Sequence, residues 1–228
     1  MTNEFNDKDI LALETISELK NYNDYTFGLI SKNIVGKNVL DFGSGFGVFC
    51  EYLQKNNYEI VGFEINPTAK KRSEQKGIRT YSEVNEINKK YENITSLNVL
   101  EHVEDDEALI KDMKSLLTEE GLLILYLPSS QFVWSQMDED VNHFRRYSKK
   151  DLDTKLTKAN FKIIEMRYVD FIGWSILVIF KILRVKPTFN KKVLIFYDRI
   201  FFKLFKFLDI FFKNIIGKNL LVVAKVCD

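Results

Sequence analysis

The sequence has few of the residues that cross-link a fold or bind metals. Its two cysteines, Cys50 and Cys227, form no CxxC pair, so no disulfide framework is expected and a reducing compartment fits. Its two histidines, His102 and His143, lie 41 residues apart, and the acidic stretch before the second lacks the ligand spacing of a cation-binding loop. We therefore predict no metal site.

Long apolar runs and targeting signals are also missing. The longest apolar stretch, FIGWSILVIF, ends at Lys181 after ten residues, well short of the roughly 18 that a bilayer span needs. The first ten residues, MTNEFNDKDI, lack the basic and then apolar pattern of a secretory signal. With three prolines, 46% apolar and 29% charged residues, the chain is expected to fold as one cytoplasmic domain of residues 1–228.

Short apolar segments alternate with helical patterns along the chain. Seven segments are predicted as strands: 38–42, 58–64, 78–81, 93–98, 121–127, 161–169 and 219–226. Apolar residues at three-residue spacing predict helices within residues 1–35. This alternation predicts an α/β fold with a seven-stranded, mostly parallel sheet covered by helices on both faces. A ligand of such a sheet binds beyond the carboxyl ends of its strands.

A glycine-rich motif follows the first strand and reads Asp41-Phe42-Gly43-Ser44-Gly45-Phe46-Gly47. Glycines let a backbone approach a ligand where a Cβ would block it. The motif resembles motif I of the class I S-adenosylmethionine-dependent methyltransferases, in which an acidic residue and any residue precede G-x-G-x-G. The resemblance implies a Rossmann-like fold, S-adenosyl-L-methionine as the cofactor and methyl transfer as the activity. It also implies that Gly43, Ser44 and Gly45 hold the amino-acid part of the cofactor, and that Asp41 contacts it, often through water.

Two other interpretations of the motif stay open. The dinucleotide fingerprint G-x-G-x-x-G would place its third glycine at position 48, which is Val48. A glycine-rich turn without any ligand is the other alternative.

Further cofactor residues follow the second and fourth strands. Glu64 ends the second strand 21 residues after Gly43, and an acidic residue about 20 residues on accepts hydrogen bonds from ribose hydroxyls. Ile65 is expected to pack on adenine. The sequence VLEH at residues 99–102 is similar to a signature of the small-molecule branch of the family, which implies that Leu97 and Asn98 lie by the methionine part. The histidine of VLEH is expected to be structural, and the residue that meets the adenine amino group is left open.

The acceptor side is predicted around residues 137–147, which read MDEDVNHFRRY. This segment resembles an H-x-R-R-Y-S element of methyltransferases found with surface-polysaccharide and lipid-modifying enzymes. His143 is the candidate general base for an oxygen acceptor, Arg145 with Arg146 would hold a phosphate or carboxylate, and Tyr147 would line the acceptor pocket. The alternatives are a histidine bonded to backbone, arginines that brace acidic residues 138–140, and a tyrosine that only packs.

Residues 171–218 differ from the rest of the chain in composition. They hold ten Lys/Arg against two Asp/Glu, a net charge of +8, and twelve of the 31 aromatic residues. In the family fold strands six and seven form a near-direct hairpin, so we predict a helical insertion between residues 36–170 and 219–228, which form the cofactor-binding core. Residues 195–216 are predicted as one apolar helix with a narrow polar stripe. The stripe consists of Arg199, Lys203, Lys206, Asp209 and Lys213.

Three interpretations of this insertion stay open: a cap over the acceptor pocket, a face that docks on the inner surface of a membrane or on a lipid-linked acceptor, and a homodimer interface. Nucleic-acid binding is not expected because the basic charge is local and mixed with apolar residues. The predicted function is therefore methyl transfer to a small or carrier-linked acceptor, with an oxygen of a saccharide or lipid-type molecule favoured. The alternative is a non-catalytic scaffold that binds a partner through 171–218.

Overall fold

Seven strands form one sheet at the centre of the computed structural model, which describes residues 7–187 and 190–227. The strands are β1 Asn38–Phe42, β2 Glu59–Phe63, β3 Thr80–Tyr81, β4 Tyr91–Leu97, β5 Leu117–Pro128, β6 Phe161–Val169 and β7 Asn219–Val226. Their order across the sheet is β3-β2-β1-β4-β5-β7-β6. Only β7 runs antiparallel to its neighbours among these strands. The predicted α/β fold with a mostly parallel sheet is confirmed.

Helices cover both faces of the sheet. In the described ranges they are α1 Asp7–Ser17, α2 Lys20–Ser31, α3 Val48–Lys55, α4 Pro67–Gln75, α5 Asp106–Ser115, α6 Gln136–Asp140, α7 Lys149–Lys158, α8 Phe171–Ile182, α9 Lys191–Tyr197, α10 Lys203–Phe205 and α11 Asp209–Phe212. Val39 packs in an apolar cluster with Phe49 of α3, whereas the next residue, Leu40, packs with Ile110 of α5. Successive side chains of a strand point to opposite faces, so β1 is buried on both sides.

One strand begins earlier than predicted. β5 starts at Leu117 rather than at Gly121, because Leu117 pairs with Tyr91 at the start of β4. The register shifts between Tyr91 and Asn93, and the extra residues are accommodated there. The carboxyl end of β5, which leads to the predicted acceptor segment, lies close to where the sequence placed it.

The insertion begins at the ligand-binding edge of the sheet. Because β5 and β6 are both antiparallel to β7, β6 runs in the direction of β5, and α8 starts where the other parallel strands end. The prediction of one helix over 195–216 is wrong. Helical structure runs from α9 to α11 through a π-helical turn at Asp198–Phe202 and a 3-10 turn at Lys206–Leu208.

Two acidic side chains anchor the insertion to the core. Asp198, 1% exposed, accepts hydrogen bonds from the backbone N–H groups of Asn21 (3.1 Å) and Tyr22 (2.7 Å). Asp209, 6% exposed, accepts from the backbone N–H groups of Asp170 and Phe171, both at 2.8 Å. Asp209 therefore does not belong to an exposed polar stripe, and the stripe prediction is corrected at this residue.

Candidate active site

The glycine-rich turn connects β1 to α3 at the edge where the parallel strands end. The backbone N–H groups of Gly43 and Ser44 both donate to the carbonyl of Phe63, at 2.8 and 2.9 Å. Gly43 has a φ of 82°, and a Cβ there would lie 2.3 Å from Cγ2 of Val99. Only glycine both adopts this positive φ readily and lacks the Cβ that would collide with Val99. The turn is thus tied to the end of β2 and packed against the chain that follows β4.

Glu64 lies directly against this turn. One of its carboxylate oxygens accepts the N–H of Gly45 at 2.7 Å and the other accepts the N–H of Asn66 at 2.8 Å. Burial raises the pKa of the Glu64 carboxyl, although these backbone hydrogen bonds lower it. The structure therefore brings Gly43, Gly45 and Glu64 together, as their sequence spacing predicts.

The space in front of Gly45 is bounded by α1. A Cβ on Gly45, whose φ is 52°, would lie 3.0 Å from the Leu13 side chain. Arg72 of α4 forms an ion pair with Glu14 at 2.8 Å and stacks over the ring of Phe46. Helix α1 thus lies over the turn, which it approaches through the flexible side chain of Leu13 and through the ion pair between Glu14 and Arg72.

Asp41 lies beneath the turn, inside the sheet. It is buried, and it accepts hydrogen bonds from Oγ1 of Thr95 at 2.8 Å and from Sγ of Cys50 at 3.4 Å. Burial raises the pKa of Asp41 to about 6. In this arrangement Asp41 links β1 to β4 and α3. Its contact with a cofactor stays a prediction.

The other predicted cofactor residues surround the turn in different environments. Ser44 is buried, and its hydroxyl has no hydrogen-bond partner among the described residues. Ile65 is 55% exposed, next to Glu64. Leu97 is half-buried at the end of β4, and Asn98 follows with a φ of 52° and donates its N–H to the carbonyl of Tyr126 at 2.7 Å. These positions leave Ile65 available to contact a ligand.

His143 lies in the loop after α6. Its Nδ1 is hydrogen-bonded to Asp138 at 2.9 Å, and its Nε2 lies 3.9 Å from Oε1 of Glu101. Its ring also contacts the ring of His102, with 4.6 Å between the centroids. The two histidines are therefore neighbours in space although they lie far apart in sequence. That separation was one reason for predicting no metal site, and the structure removes it.

The side chains of Arg145 and Tyr147 both contact Asp106 at the start of α5. Arg145 pairs with Asp106 at 2.9 Å and donates to the carbonyl of Glu104 at 2.7 Å. Tyr147 is 1% exposed and donates its hydroxyl to Asp106 at 2.8 Å, and burial raises the pKa of its phenol. These contacts favour the packing alternative for Tyr147 and a bracing contact for Arg145. Arg146 braces Asp138 at 2.8 Å, as the alternative for the arginine pair predicts.

Glu101 is a site residue that the sequence interpretation missed. Its side chain is 0% exposed, and neither carboxylate oxygen has a hydrogen-bond partner among the described residues. Burial raises the pKa of Glu101 to about 7, and burial followed by the neighbouring His143 lowers the pKa of His102 to about 3. The signal that could have revealed it is the VLEH segment itself, which directly follows a parallel strand at the ligand-binding edge.

Comparisons with known proteins point to one group of enzymes. A family model described as a methyltransferase domain matches residues 19–166. The chain is 24% identical over 169 residues to a ubiquinone biosynthesis O-methyltransferase of Actinobacillus pleuropneumoniae, and this match covers 62% of the chain and 72% of the relative.

Solved structures share the fold. A SAM-dependent methyltransferase from Archaeoglobus fulgidus has a TM-score of 0.62 and 16% identity, with 92% of this chain and 94% of that chain covered. The magnesium protoporphyrin IX methyltransferase from Synechocystis, solved with bound SAM, has a TM-score of 0.56 and 15% identity, with 100% of this chain and 87% of that chain covered. At these identities the likeness is one of fold.

Proposed function

The chain belongs to the S-adenosylmethionine-dependent methyltransferases, and from that premise we propose that it methylates an oxygen of a lipid-type or lipid-linked acceptor while docked on an anionic membrane surface. Membership of an enzyme family sets aside the non-catalytic scaffold and the dinucleotide alternatives. The observation that carries the proposal is the outer surface of residues 171–218.

The turn and Glu64 fit the cofactor. When bound, S-adenosylmethionine supplies an electrophilic methyl group on its sulfonium. The two carboxylate oxygens of Glu64 accept the backbone N–H groups of Gly45 and Asn66, and a carboxylate has room for further donors, so it can also accept hydrogen bonds from ribose hydroxyls. Gly45 has no side chain to fill the adjoining space, and among the described residues the atoms within 4 Å of its Cβ position belong to the flexible side chain of Leu13. The chain's own residues thus bind and orient the cofactor.

Oxygen is favoured as the methylated atom by the relatives. The curated relatives that match this chain are named O-methyltransferases. Transfer to oxygen requires the acceptor hydroxyl to lose a proton, so a group that stabilises the resulting negative charge is needed beside the methyl group. Such a group would act where Glu101, which follows β4, meets His143 of the loop after α6.

The outer surface of the insertion is unusually apolar. Among the described residues, 22 large apolar side chains are exposed, and 14 of these lie within 171–218. Phe207 and Phe211 are 52% and 67% exposed. Exposed patches rimmed by polar residues are typical of protein or membrane interfaces. This surface is therefore expected to be covered in the functioning protein.

Basic residues surround the apolar side chains and favour a lipid surface as the covering partner. Arg199, Lys203 and Lys213 are exposed on the same run of helices, within a segment of net charge +8. Near an anionic leaflet each such residue contributes about 1 kcal/mol. Among the described residues, no helix is both long enough and apolar enough to cross a membrane. The chemistry fits docking in the interface by an amphipathic surface.

The insertion also adjoins the predicted acceptor segment. Nε1 of Trp174 in α8 donates to Oγ of Ser130 at 3.3 Å, and the N–H of Ser130 donates to the carbonyl of Tyr147 at 3.1 Å. A membrane-bound insertion would thus bring the acceptor loop to the lipid surface. This contact links docking to acceptor delivery.

Vesicle co-sedimentation tests the proposal. The full chain is expected to pellet with vesicles of phosphatidylcholine and phosphatidylglycerol, less so in high salt and much less with phosphatidylcholine alone. Changing Arg199, Lys203 and Lys213 to Glu should abolish pelleting. The matched control changes three exposed lysines outside the insertion, Lys71, Lys111 and Lys162, to Glu and should leave most binding intact.

Other outcomes separate the alternatives. If the wild type stays in the supernatant, docking is wrong. A dimer that Phe207→Ala and Phe211→Ala dissociate would then identify the surface as a dimer interface. Loss of acceptor turnover in those two variants, with monomeric protein and unchanged cofactor affinity, would identify a cap.

A further inference from the structure

Three potential metal ligands meet beside the predicted cofactor turn. One ligand atom from each of Glu101, His102 and His143 lies within 4.8 Å of the other two. Glu101 is fully buried, with both oxygens unpartnered among the described residues. A buried carboxylate without a hydrogen bond is costly unless it pairs with a cation or binds a metal. The cluster therefore contains a buried acidic group without a hydrogen bond among the described residues, which a bound cation would stabilise.

Both imidazoles are oriented by the contacts that metal-binding histidines usually make. His143 uses Nδ1 for Asp138, at 2.9 Å, which leaves Nε2 facing Glu101. Asp138 is itself fixed by Arg146 at 2.8 Å and by the backbone N–H of Ser135 at 2.9 Å. A carboxylate behind a histidine sets its tautomer and strengthens it as a ligand.

His102 lies beside the backbone of Val141, which raises the pKa of its imidazole. Backbone carbonyls are common acceptors for the second nitrogen of a metal-bound histidine. The backbone also holds the two halves of the cluster together, because the N–H of Phe144 donates to the carbonyl of Glu101 at 2.7 Å. The cluster is thus built from two segments whose separation is fixed.

We propose that Glu101, His102 and His143 bind one divalent transition-metal ion. Two imidazoles and one carboxylate suit Zn²⁺, Fe²⁺ or Mn²⁺ better than Mg²⁺ or Ca²⁺, which prefer oxygen ligands. Ligand bonds of about 2.0–2.2 Å require the three donor atoms to draw together by roughly 1 Å, which small side-chain rotations supply. Three protein ligands leave coordination positions open, as in catalytic rather than structural sites.

The position of the ion suggests its role, and this role rests on the proposed function. Glu101 and His102 follow β4 by a few residues, next to Leu97 and Asn98, which are predicted to lie by the methionine part of the cofactor. A hydroxyl of the acceptor is the ligand that the open side of such an ion takes, and bound cations lower the pKa of oxygen ligands. In this assignment His143 is a metal ligand rather than the general base predicted from the sequence.

Metal titration of the full chain, without cofactor or acceptor, tests the binding itself. After chelator treatment, Co²⁺ should give visible absorption that saturates at one equivalent, and Zn²⁺ should displace it with a micromolar or tighter dissociation constant. His143→Ala and the bulkier His143→Gln should each weaken binding at least tenfold. Glu101→Gln, which keeps the shape and removes the charge, should do the same.

Controls separate ligand loss from misfolding and from binding elsewhere. Cys227→Ala removes a half-buried thiol and should leave the titration unchanged. Circular dichroism and the thermal midpoint should show that His143→Gln is folded. Binding by His143→Gln equal to wild type, or no stoichiometric Co²⁺ spectrum in wild type, would overturn the site.

The metal proposal and the proposed function can fail separately. One-to-one metal binding that needs His143, together with absent methyl transfer to oxygen, would retain the site and reject the acceptor assignment. Methyl transfer that persists unchanged in chelator-treated, metal-free protein would retain the function and reject the role given to the ion, whereas the absence of a stoichiometric Co²⁺ spectrum would reject the site itself.

Discussion

The sheet core and the insertion differ in how much apolar surface they bury. In the sheet, Leu40, Ile94 and Leu123 are fully buried. In residues 171–218 Phe202 is buried together with Asp198 and Asp209, whereas many other aromatic side chains are exposed. The core is stabilised mainly by removing apolar surface from water. The insertion cannot rely on this effect to the same degree.

This difference in buried side chains indicates what fixes the position of each region. A buried carboxylate is tolerated only where donors satisfy it, so its position is fixed by partner geometry rather than by hydrophobicity. Asp198 and Asp209 find those donors in the backbones of α2 and of the β6–α8 junction. The apolar residues of the insertion are thereby left free to contact something outside the domain.

The largest expected effect comes from removing one of the two acidic side chains that hold the insertion on the core. Asp209→Ala leaves the N–H groups of Asp170 and Phe171 and the hydroxyl of Tyr25 without their acceptor. At about 1–3 kcal/mol for each unsatisfied group, we expect the free energy of unfolding to fall by about 4 kcal/mol. Urea denaturation measures it, with limited proteolysis to locate the loosened segment.

Two variants control this experiment. Asp209→Asn retains one acceptor oxygen and should lose about half as much. Asp153→Ala, at an exposed position on α7, should change stability by no more than about 0.5 kcal/mol. A loss below about 1 kcal/mol for Asp209→Ala would show that the insertion is not held by its acidic residues.

The core also buries a carboxyl group, that of Asp41, and its effect on the free energy of unfolding depends on pH. The pKa of Asp41 is raised from 3.8 to about 6, so the folded state binds this proton more tightly than the unfolded state does. Its contribution to stability is full below pH 3.8 and is lost as the pH rises through 6. Relative to Asp41→Asn, the wild type should lose about 2 kcal/mol of unfolding free energy between pH 4 and 7.

Urea denaturation of both proteins at several pH values between 4 and 7 measures this difference. The comparison cancels the titration of groups that the two proteins share, although the nearby Glu64 and Cys50 are coupled to Asp41. A difference that stays constant over this range would mean that Asp41 ionises normally in the folded protein.

The sequence predicted the core side of this comparison better than the insertion side. Gly43, Gly45 and Glu64 lie within one β-α-β unit, where strand ends and turn geometry restrict each position, so spacing along the chain was sufficient to predict that they lie together. The buried acidic residues of the insertion are held by backbone N–H groups that lie far away in sequence. Asp209 was therefore predicted on the exposed stripe, since no local pattern shows that it meets the amide of Asp170.

The acceptor side was predicted less completely for a related reason. The segment around His143 was recognised as important, but residue types alone did not reveal that Arg145 and Tyr147 both contact Asp106, 39 and 41 residues earlier. The contact between His102 and His143 follows from topology, because both segments leave parallel strands at the same edge. The carboxyl ends of parallel strands meet at one edge of the sheet. Had this rule been applied to the histidines as well as to the glycines, the sequence would have predicted that His102 and His143 lie together.

A side chain at the glycine-rich turn should sharply lower cofactor affinity. Gly45→Val introduces a β-branched residue at a φ of 52° and directs its Cβ towards Leu13. We expect binding of S-adenosylmethionine to weaken at least a hundredfold by calorimetry. Gly77→Val is the matched control, since Gly77 also has a positive φ, of 79°, but nothing within 4 Å of its Cβ position. Equal affinity losses in the two variants would attribute the effect to general strain.

The smallest expected effect concerns the acidic residue at the end of β2. Glu64→Ala removes the acceptor proposed for the ribose hydroxyls, and hydrogen bonds to a charged group contribute about 1.5–3 kcal/mol each, so affinity for S-adenosylhomocysteine should fall at least tenfold. Glu59→Ala, an exposed position at the other end of β2, controls for the loss of one negative charge. Because Glu64 also accepts the N–H of Gly45, a second ligand separates ribose binding from support of the turn. An analogue that lacks both ribose hydroxyls should bind wild type weakly and lose nothing further with Glu64→Ala. A further tenfold loss with that analogue would mean that Glu64 acts only by holding the turn.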